Sequence, residues 1–337
     1  MTDDQNDDFE AMLSEALGTS SSDAIERAVE STAPDEDVPP GHKSGYVAVV
    51  GRPNVGKSTL INQILNEKIA IVSPKPQTTR IRQLGILTRD DAQVIFVDTP
   101  GVHRARDELG AFMIEVAKAA LEDADVILFI SDTSRSPSTE DEQILGYLHN
   151  LNAPEKTLHV LNKVDALPNP EQFQRNFEAY RAMLPDAEFI STVATDGHNV
   201  PELVVKIIDR LPEGPRYYPR DQVSDVPVRE IASELIREKV LHRTGQEVPH
   251  SIAVEVDEFK RRENGVIYIH ATIYCERDGQ KGIIIGKGGA MLKRISSEAR
   301  TDIEKFVDTR IFLEVEVKTL PNWRRDDASL RRFGYRI

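Results

Sequence analysis

From residue 45 to about residue 211, short apolar runs alternate with amphipathic stretches at helical spacing. The first run, Tyr46-Val47-Ala48-Val49-Val50, predicts a strand. Further strands are expected at 84–88, 92–97, 125–131, 157–162 and 187–192, and helices at 58–66, 110–121, 139–149, 171–182 and 200–210. Such alternation builds an α/β unit, a mostly parallel sheet with helices on both faces. The stretch Thr88-Arg89-Asp90-Asp91 is too short for a parallel crossover. Strands 84–88 and 92–97 should therefore form a hairpin, leaving one antiparallel strand at the edge.

The pattern breaks at Leu211-Pro212-Glu213-Gly214-Pro215-Arg216-Tyr217-Tyr218-Pro219, where three prolines mark a boundary and a linker over 212–225. Beyond it the order is α-β-β-α-α-β. A helix is expected at 228–242, and a hairpin of 250–260 and 265–275 around Arg262-Glu263-Asn264-Gly265. A glycine-rich turn at 282–289, a helix across 290–306 and a strand at 311–318 follow. Residues 226–337 thus read as a smaller α+β domain. At the other end, residues 1–44 have the composition of an unfolded acidic tail, although Phe9, Met12, Leu13 and Leu17 share one helical face.

Composition changes this picture little, and charge changes it more. A chain of 337 residues has room for two domains, and 39% hydrophobic with 29% charged residues suits a soluble globular protein. No apolar run nears the roughly 18 residues of a membrane span, and the acidic start lacks a signal peptide's basic residues. The one cysteine, Cys275, lies in an alternating run and reads as a packed strand thiol, which points to a reducing compartment. The eight histidines show no metal-ligand spacing. The expected location is the cytoplasm. Taken whole, the net charge of −14 argues against nucleic acid, yet residues 1–44 alone carry twelve acidic and two basic residues. Residues 217–337 carry 22 basic and 20 acidic residues and are the one net-basic segment.

Three loops carry candidate chemistry. Gly51-Arg52-Pro53-Asn54-Val55-Gly56-Lys57-Ser58, between strand and helix, is built to cradle phosphate. Its N–H groups and the helix N-terminus face the anion, Lys57 can reach β- and γ-phosphates, and Ser58 can ligate Mg²⁺, with Thr59 next on the helix. Asp98-Thr99-Pro100-Gly101, at a strand end, supplies a carboxylate for Mg²⁺ and an N–H for the γ-phosphate. Asn162-Lys163-Val164-Asp165, at another strand end, supplies a carboxylate that can accept from guanine N1–H and its 2-amino group together. Adenine lacks both donors and would leave Asp165 poorly paired. The expected ligand is GTP or GDP.

In this order the three motifs resemble the GTPases of the translation-factor class, and Gln77-Thr78-Thr79-Arg80 is similar to the first switch of the Era group. The resemblance implies a P-loop G domain over 45–211, with a switch threonine completing the Mg²⁺ shell beside Ser58 and Asp98. Thr79 or Thr78 would do so. Lys57, Thr79 and Gly101 then form the catalytic set. A guanine-side loop is expected at Val193-Ala194-Thr195, where the Ala194 N–H could reach guanine O6, although the usual serine is absent. Val102 stands where Ras-like enzymes have a water-orienting Gln, so hydrolysis should be slow. Asn54 is a candidate K⁺ ligand, as in related enzymes.

In the second domain, Gly286-Lys287-Gly288-Gly289 precedes an amphipathic helix bearing Lys293 and Arg294, and resembles the Gly-x-x-Gly loop of a type II KH domain. These residues, with Arg324 and Arg325 among C-terminal aromatics, are the expected RNA contacts. Membership of the Era family implies a monomeric assembly factor of the small ribosomal subunit. It would bind the 3′ end of that subunit's rRNA and associate peripherally with the inner face of the cell membrane. The alternative is a GTP-switched protein- or membrane-docking module whose KH-like domain binds no RNA.

Overall fold

The computed structural model describes residues 38–73, 78–101, 107–151, 153, 155–166, 169–245 and 248–335. The sequence expectations for residues 1–37, Gln77 and Val102 lie outside these. The first sheet runs β1 (Lys43–Val50), β2 (Gln83–Thr88), β3 (Ala92–Asp98), β4 (Val126–Asp132), β5 (Thr157–Asn162) and β6 (Glu188–Thr192). Its strand order is β2-β3-β1-β4-β5-β6, with β2 antiparallel to β3 and every other pair parallel. Every residue of β3, β4 and β5 is buried, as strands covered on both faces must be. The covering helices are α1 (Lys57–Leu65), α2 (Glu108–Glu122), α3 (Thr139–Asn150), α4 (Pro170–Met183) and α5 (Val200–Arg210). In α5, Val200, Leu203, Val204, Ile207 and Ile208 form one apolar stripe against the sheet.

One expectation is corrected at the domain edge. Residues 43 and 44, placed by composition in the acidic tail, belong to the sheet. Lys43 pairs with Ala92 in β3, and the Ser44 N–H donates to Pro212 O at 3.0 Å. The linker lies along the open edge of β2. The Ile86 N–H donates to Val223 O (2.9 Å), the Leu84 N–H to Asp225 Oδ1 (3.2 Å), and Ser224 Oγ to Leu84 O (2.7 Å).

The second domain comprises α6 (Val228–Arg243), β7 (Ile252–Arg261), β8 (Ile267–Cys275), α7 (Asp278–Ile285), α8 (Ala290–Val307) and β9 (Ile311–Thr319), followed by a short α9 (Asp327–Arg332). Strand β8 is central, antiparallel to β7 and parallel to β9. Helices α6, α7 and α8 cover one face through Leu235, Ile236, Ile284, Ile295, Ala299 and neighbours. On the other face, Asp257, His270 and Glu316 come together, satisfied by the Thr272 hydroxyl and by Lys318. An apolar cluster joins the domains, with Leu109, Phe112 and Met113 of α2 packed against Tyr274, Trp323, Leu330 and Tyr335.

Candidate functional site

The loop between β1 and α1 folds over the ends of its neighbours. A Cβ at Gly51 would lie 2.5 Å from Ile130 O, and one at Gly56 would strike the Asn162 amide, so both positions need glycine. Lys57 is buried, and its ammonium donates to Gly51 O (3.0 Å) and Arg52 O (3.2 Å). Burial pulls that ammonium down to about 8, against the opposing pull of the Asp98 carboxylate. The Arg52 side chain leaves the loop for Tyr180 and Asp141 beneath it, so it braces the loop from behind.

Three oxygens converge beside Lys57. Ser58 Oγ donates to Asp98 Oδ2 at 2.7 Å, Thr79 Oγ1 lies 3.0 Å from Ser58 Oγ, and it also donates to Asp98 Oδ2 at 3.3 Å. The Thr78 hydroxyl instead faces Ser73 O at 3.5 Å. Of the two threonines the sequence left open, Thr79 is the one brought to the cluster. Asp98 Oδ1 is buried and accepts no hydrogen bond among the described residues. Burial raises the Asp98 carboxyl, while Lys57, Ser58 and Thr79 pull it back. Hard oxygen donors with a buried, unsatisfied carboxylate oxygen suit Mg²⁺. Thr99 Oγ1 donates to Val49 O at 2.8 Å, and a Cβ at Gly101 would stand 2.9 Å from the Pro53 backbone. Pro100 is buried between them. The strand-end turn therefore presses on the phosphate loop.

Asn162 ties the third motif to both neighbours. Its amide donates to Val55 O (2.8 Å), and its carbonyl accepts from the Ala194 N–H (3.0 Å) and Thr192 Oγ1 (3.2 Å). That corrects the expected role of Ala194, whose N–H is committed to Asn162 rather than aimed at guanine O6. Val193 is buried beside it, and Thr195 is exposed, lining a separate hollow with Thr59, Asn62 and Gln63. Lys163, in a left-handed conformation, donates to Asn54 O (2.6 Å) and Asp132 Oδ2 (2.9 Å). The Val164 N–H faces Thr192 O at 3.5 Å, and Asp165 stands exposed at the loop tip. A groove of about 360 Å³ runs between Lys57, Thr79, Gly101 and Lys163, and Arg135 lines it as well. No motif pointed to Arg135. It arrives because the β4–α3 turn happens to end at the groove.

In the second domain, Gly286, Gly288 and Gly289 all have positive φ, and Lys287, Lys293 and Arg294 are exposed around them. Ile283, half exposed, adds an apolar surface beside this loop. The C-terminal residues divide differently from expectation. Trp323 is fully buried, and Arg324 is held by Asp107 (3.2 Å) and Glu276 (2.6 Å), bridging the domains. Arg325 is exposed, as are Arg331 and Arg332 beyond it.

A profile described as "50S ribosome-binding GTPase" matches residues 46–163, and one for the KH domain matches residues 247–324. The chain is 40% identical to Era solved in complex with MgGDPNP and nucleotides 1506-1542 of 16S ribosomal RNA, covering 88% of this chain and all of that one, with a TM-score of 0.82. The chain belongs to the Era family of GTPases. A point variant of Aquifex aeolicus Era, bound to GDP.AlF4-, matches equally, at 40% identity over 88% of this chain and all of that one, with a TM-score of 0.82. Both domains, in the same order, are thus those of the Era family.

Proposed function

We infer that this chain hydrolyses GTP to GDP and phosphate with Mg²⁺, and binds the 3′ end of small-subunit rRNA as an assembly factor of that subunit. The working units are residues 43–211 for the nucleotide and 226–337 for RNA. The observation carrying the GTPase reading is the convergence of Ser58, Thr79 and Asp98 beside the buried Lys57 ammonium. Lys57 and the loop N–H groups hold the β- and γ-phosphates, and the Gly101 N–H meets the γ-phosphate. Ser58, Thr79 and Asp98 hold Mg²⁺, which when bound neutralises charge building on the phosphate oxygens. Asp165 reads guanine, and Lys163 covers the base. With Val102 unable to orient water, hydrolysis is slow. Asn54 as a K⁺ ligand would add to it, and replacing Na⁺ by K⁺ should then raise turnover. Lys57→Ala should lower GTP hydrolysis at least a hundredfold, the scale of losing one charge-stabilising group. Normal turnover by that variant would sink the assignment.

For RNA, the glycine loop lets the backbone pass close to the start of α8, with Lys287, Lys293 and Arg294 around it. A Cβ at Gly288 would meet nothing within 4 Å, and aspartate is one of the few residues that tolerate its left-handed φ of +59°, so Gly288→Asp should fold at a backbone strain of about 1–2 kcal/mol while setting a carboxylate in the phosphate path. Loss of binding to an rRNA 3′-end fragment, with GTP hydrolysis kept, is the expected result. Undiminished RNA binding would favour the docking-module alternative. The reading extends to a cytoplasmic monomer with peripheral membrane contact, checked by sedimentation and by flotation with anionic vesicles. Among the described residues no helix is long and apolar enough to cross a membrane.

A further inference from the structure

Arg80 follows Thr79 and is almost wholly enclosed, 1% exposed, between the two domains. Its Nη1 donates to Ile252 O (2.6 Å) and faces the Tyr335 hydroxyl (3.4 Å). Its Nη2 reaches Pro249 O (3.3 Å) and His250 O (3.5 Å), and the guanidinium lies 5.7 Å from the centre of the Trp323 ring. All of these partners belong to the second domain. A buried guanidinium held by carbonyls, a hydroxyl and an indole face needs its planar fork of donors to fit that socket, which a lysine cannot reproduce.

The residue on the other side of Thr79 is held as well. Arg237 of α6, itself buried, donates through Nη2 to Thr78 O. Farther upstream, the Val72 N–H donates to Glu238 Oε1 (3.0 Å), and Val72 O is 2.9 Å from His242 Nε2. Lys68 reaches Glu238 (2.7 Å) and Asp302 (2.9 Å). Thr79 is thus flanked by two anchors that both come from the second domain, while its own hydroxyl faces Ser58 and Asp98. Nothing in the G domain's own motifs supplies these anchors.

We propose that Arg80 is a positioning residue for GTP hydrolysis, seating the Thr79 backbone in the second domain so that the Thr79 hydroxyl stands at the metal site. This rests on the GTPase reading above. A threonine of the first switch is needed at the metal when the γ-phosphate is present and is released without it. The seat therefore favours GTP over GDP, and by linkage GTP tightens the seat. The RNA-binding domain is in this sense part of the GTPase site.

The test uses the full chain with Arg80→Ala, Arg80→Lys and Arg237→Gln. Affinities for fluorescent GDP and for a non-hydrolysable GTP analogue are measured at saturating Mg²⁺, along with kcat. The expected result is GDP affinity within about twofold of the unaltered chain. Affinity for the GTP analogue and kcat should each fall about tenfold, a usual size for coupling between sites. Arg80→Lys should not restore them. Trp323, the chain's single tryptophan, reports the seat directly. Its emission should differ between GDP and GTP-analogue forms of the unaltered chain and not in Arg80→Ala. Equal loss of both nucleotides, or no loss of either, overturns the proposal. Should Arg80→Ala lose its circular dichroism, Arg237→Gln decides alone. If the unaltered chain binds neither nucleotide, the GTPase reading itself has failed.

Discussion

Asn162 holds three loops with one amide. Removing it in Asn162→Ala leaves Val55 O and the Ala194 N–H buried without their partner, at about 1–3 kcal/mol each. The phosphate loop and the 193–195 loop would then lose their shared brace, so GDP affinity should fall at least tenfold with Mg²⁺ saturating. Titration with fluorescent GDP measures this, and unchanged affinity would mean the loops hold themselves. Asn162 was legible in the sequence as part of a guanine motif, yet its bracing of Ala194 was not. Motif spacing fixes which residues arrive at a strand end, but a hydrogen bond between two loops depends on where both backbones run. The same limit explains Thr78 and Thr79. Adjacent hydroxyls are equivalent in a sequence, and the contacts that flank Thr79, from Arg237 and from the turn at Pro249, come from some 160 to 170 positions away, beyond the reach of any local pattern.

Among the elements, β5 shows how a fully buried strand handles a titratable group. His159 sits inside the sheet, its Nε2 2.9 Å from Ser131 Oγ and its ring stacked 4.9 Å from Phe129. Burial lowers its pKa from 6.5 to about 4. In the unfolded chain the imidazole takes a proton near 6.5, while in the folded chain it resists until about 4, so the unfolded state holds more protons in that window. Stability should therefore decline as pH falls from 6.5 to 4, by about 3 kcal/mol from this group. Urea unfolding at steps across that window should show a steeper loss for the unaltered chain than for His159→Gln. Equal slopes would place the acid sensitivity elsewhere. The strand was legible in the sequence through Leu158, Val160 and Leu161 ahead of a turn, whereas the burial of Thr157, His159 and Asn162 among them was not, because polar residues in a run do not show on which face they are covered. Short α9 was less so: six residues do not define a helical period, and its burial of Leu330 depends on α2 of the other domain.

At the scale of the whole molecule, three prolines and two tyrosines read as a domain boundary, and the structure makes of them a rivet. A proline-rich extended segment has the same composition whether it floats or lies against a sheet edge, and the difference is made by Gln93, far away in sequence. Gln93 is fully buried in β3. Its Oε1 accepts from the Tyr217 and Tyr218 N–H groups (2.7 and 2.9 Å), and its Nε2 donates to Tyr218 O (2.8 Å). Tyr217 also stacks on Tyr46 with ring centres 5.8 Å apart. From there the chain follows β2 into α6, the helix that grips the Thr79 loop, so sheet edge, linker and domain contact form one mechanical path. Gln93→Leu keeps the volume but leaves three backbone groups without partners, a cost of about 3 kcal/mol or more. The linker should then peel from the edge, leaving the contact around Trp323 to hold the domains alone. Calorimetry should show a single cooperative transition for the unaltered chain and two separated transitions for Gln93→Leu, because a domain interface without its tether loses effective concentration. One transition in both chains would mean that the Trp323 cluster and the Arg80 seat suffice without the rivet.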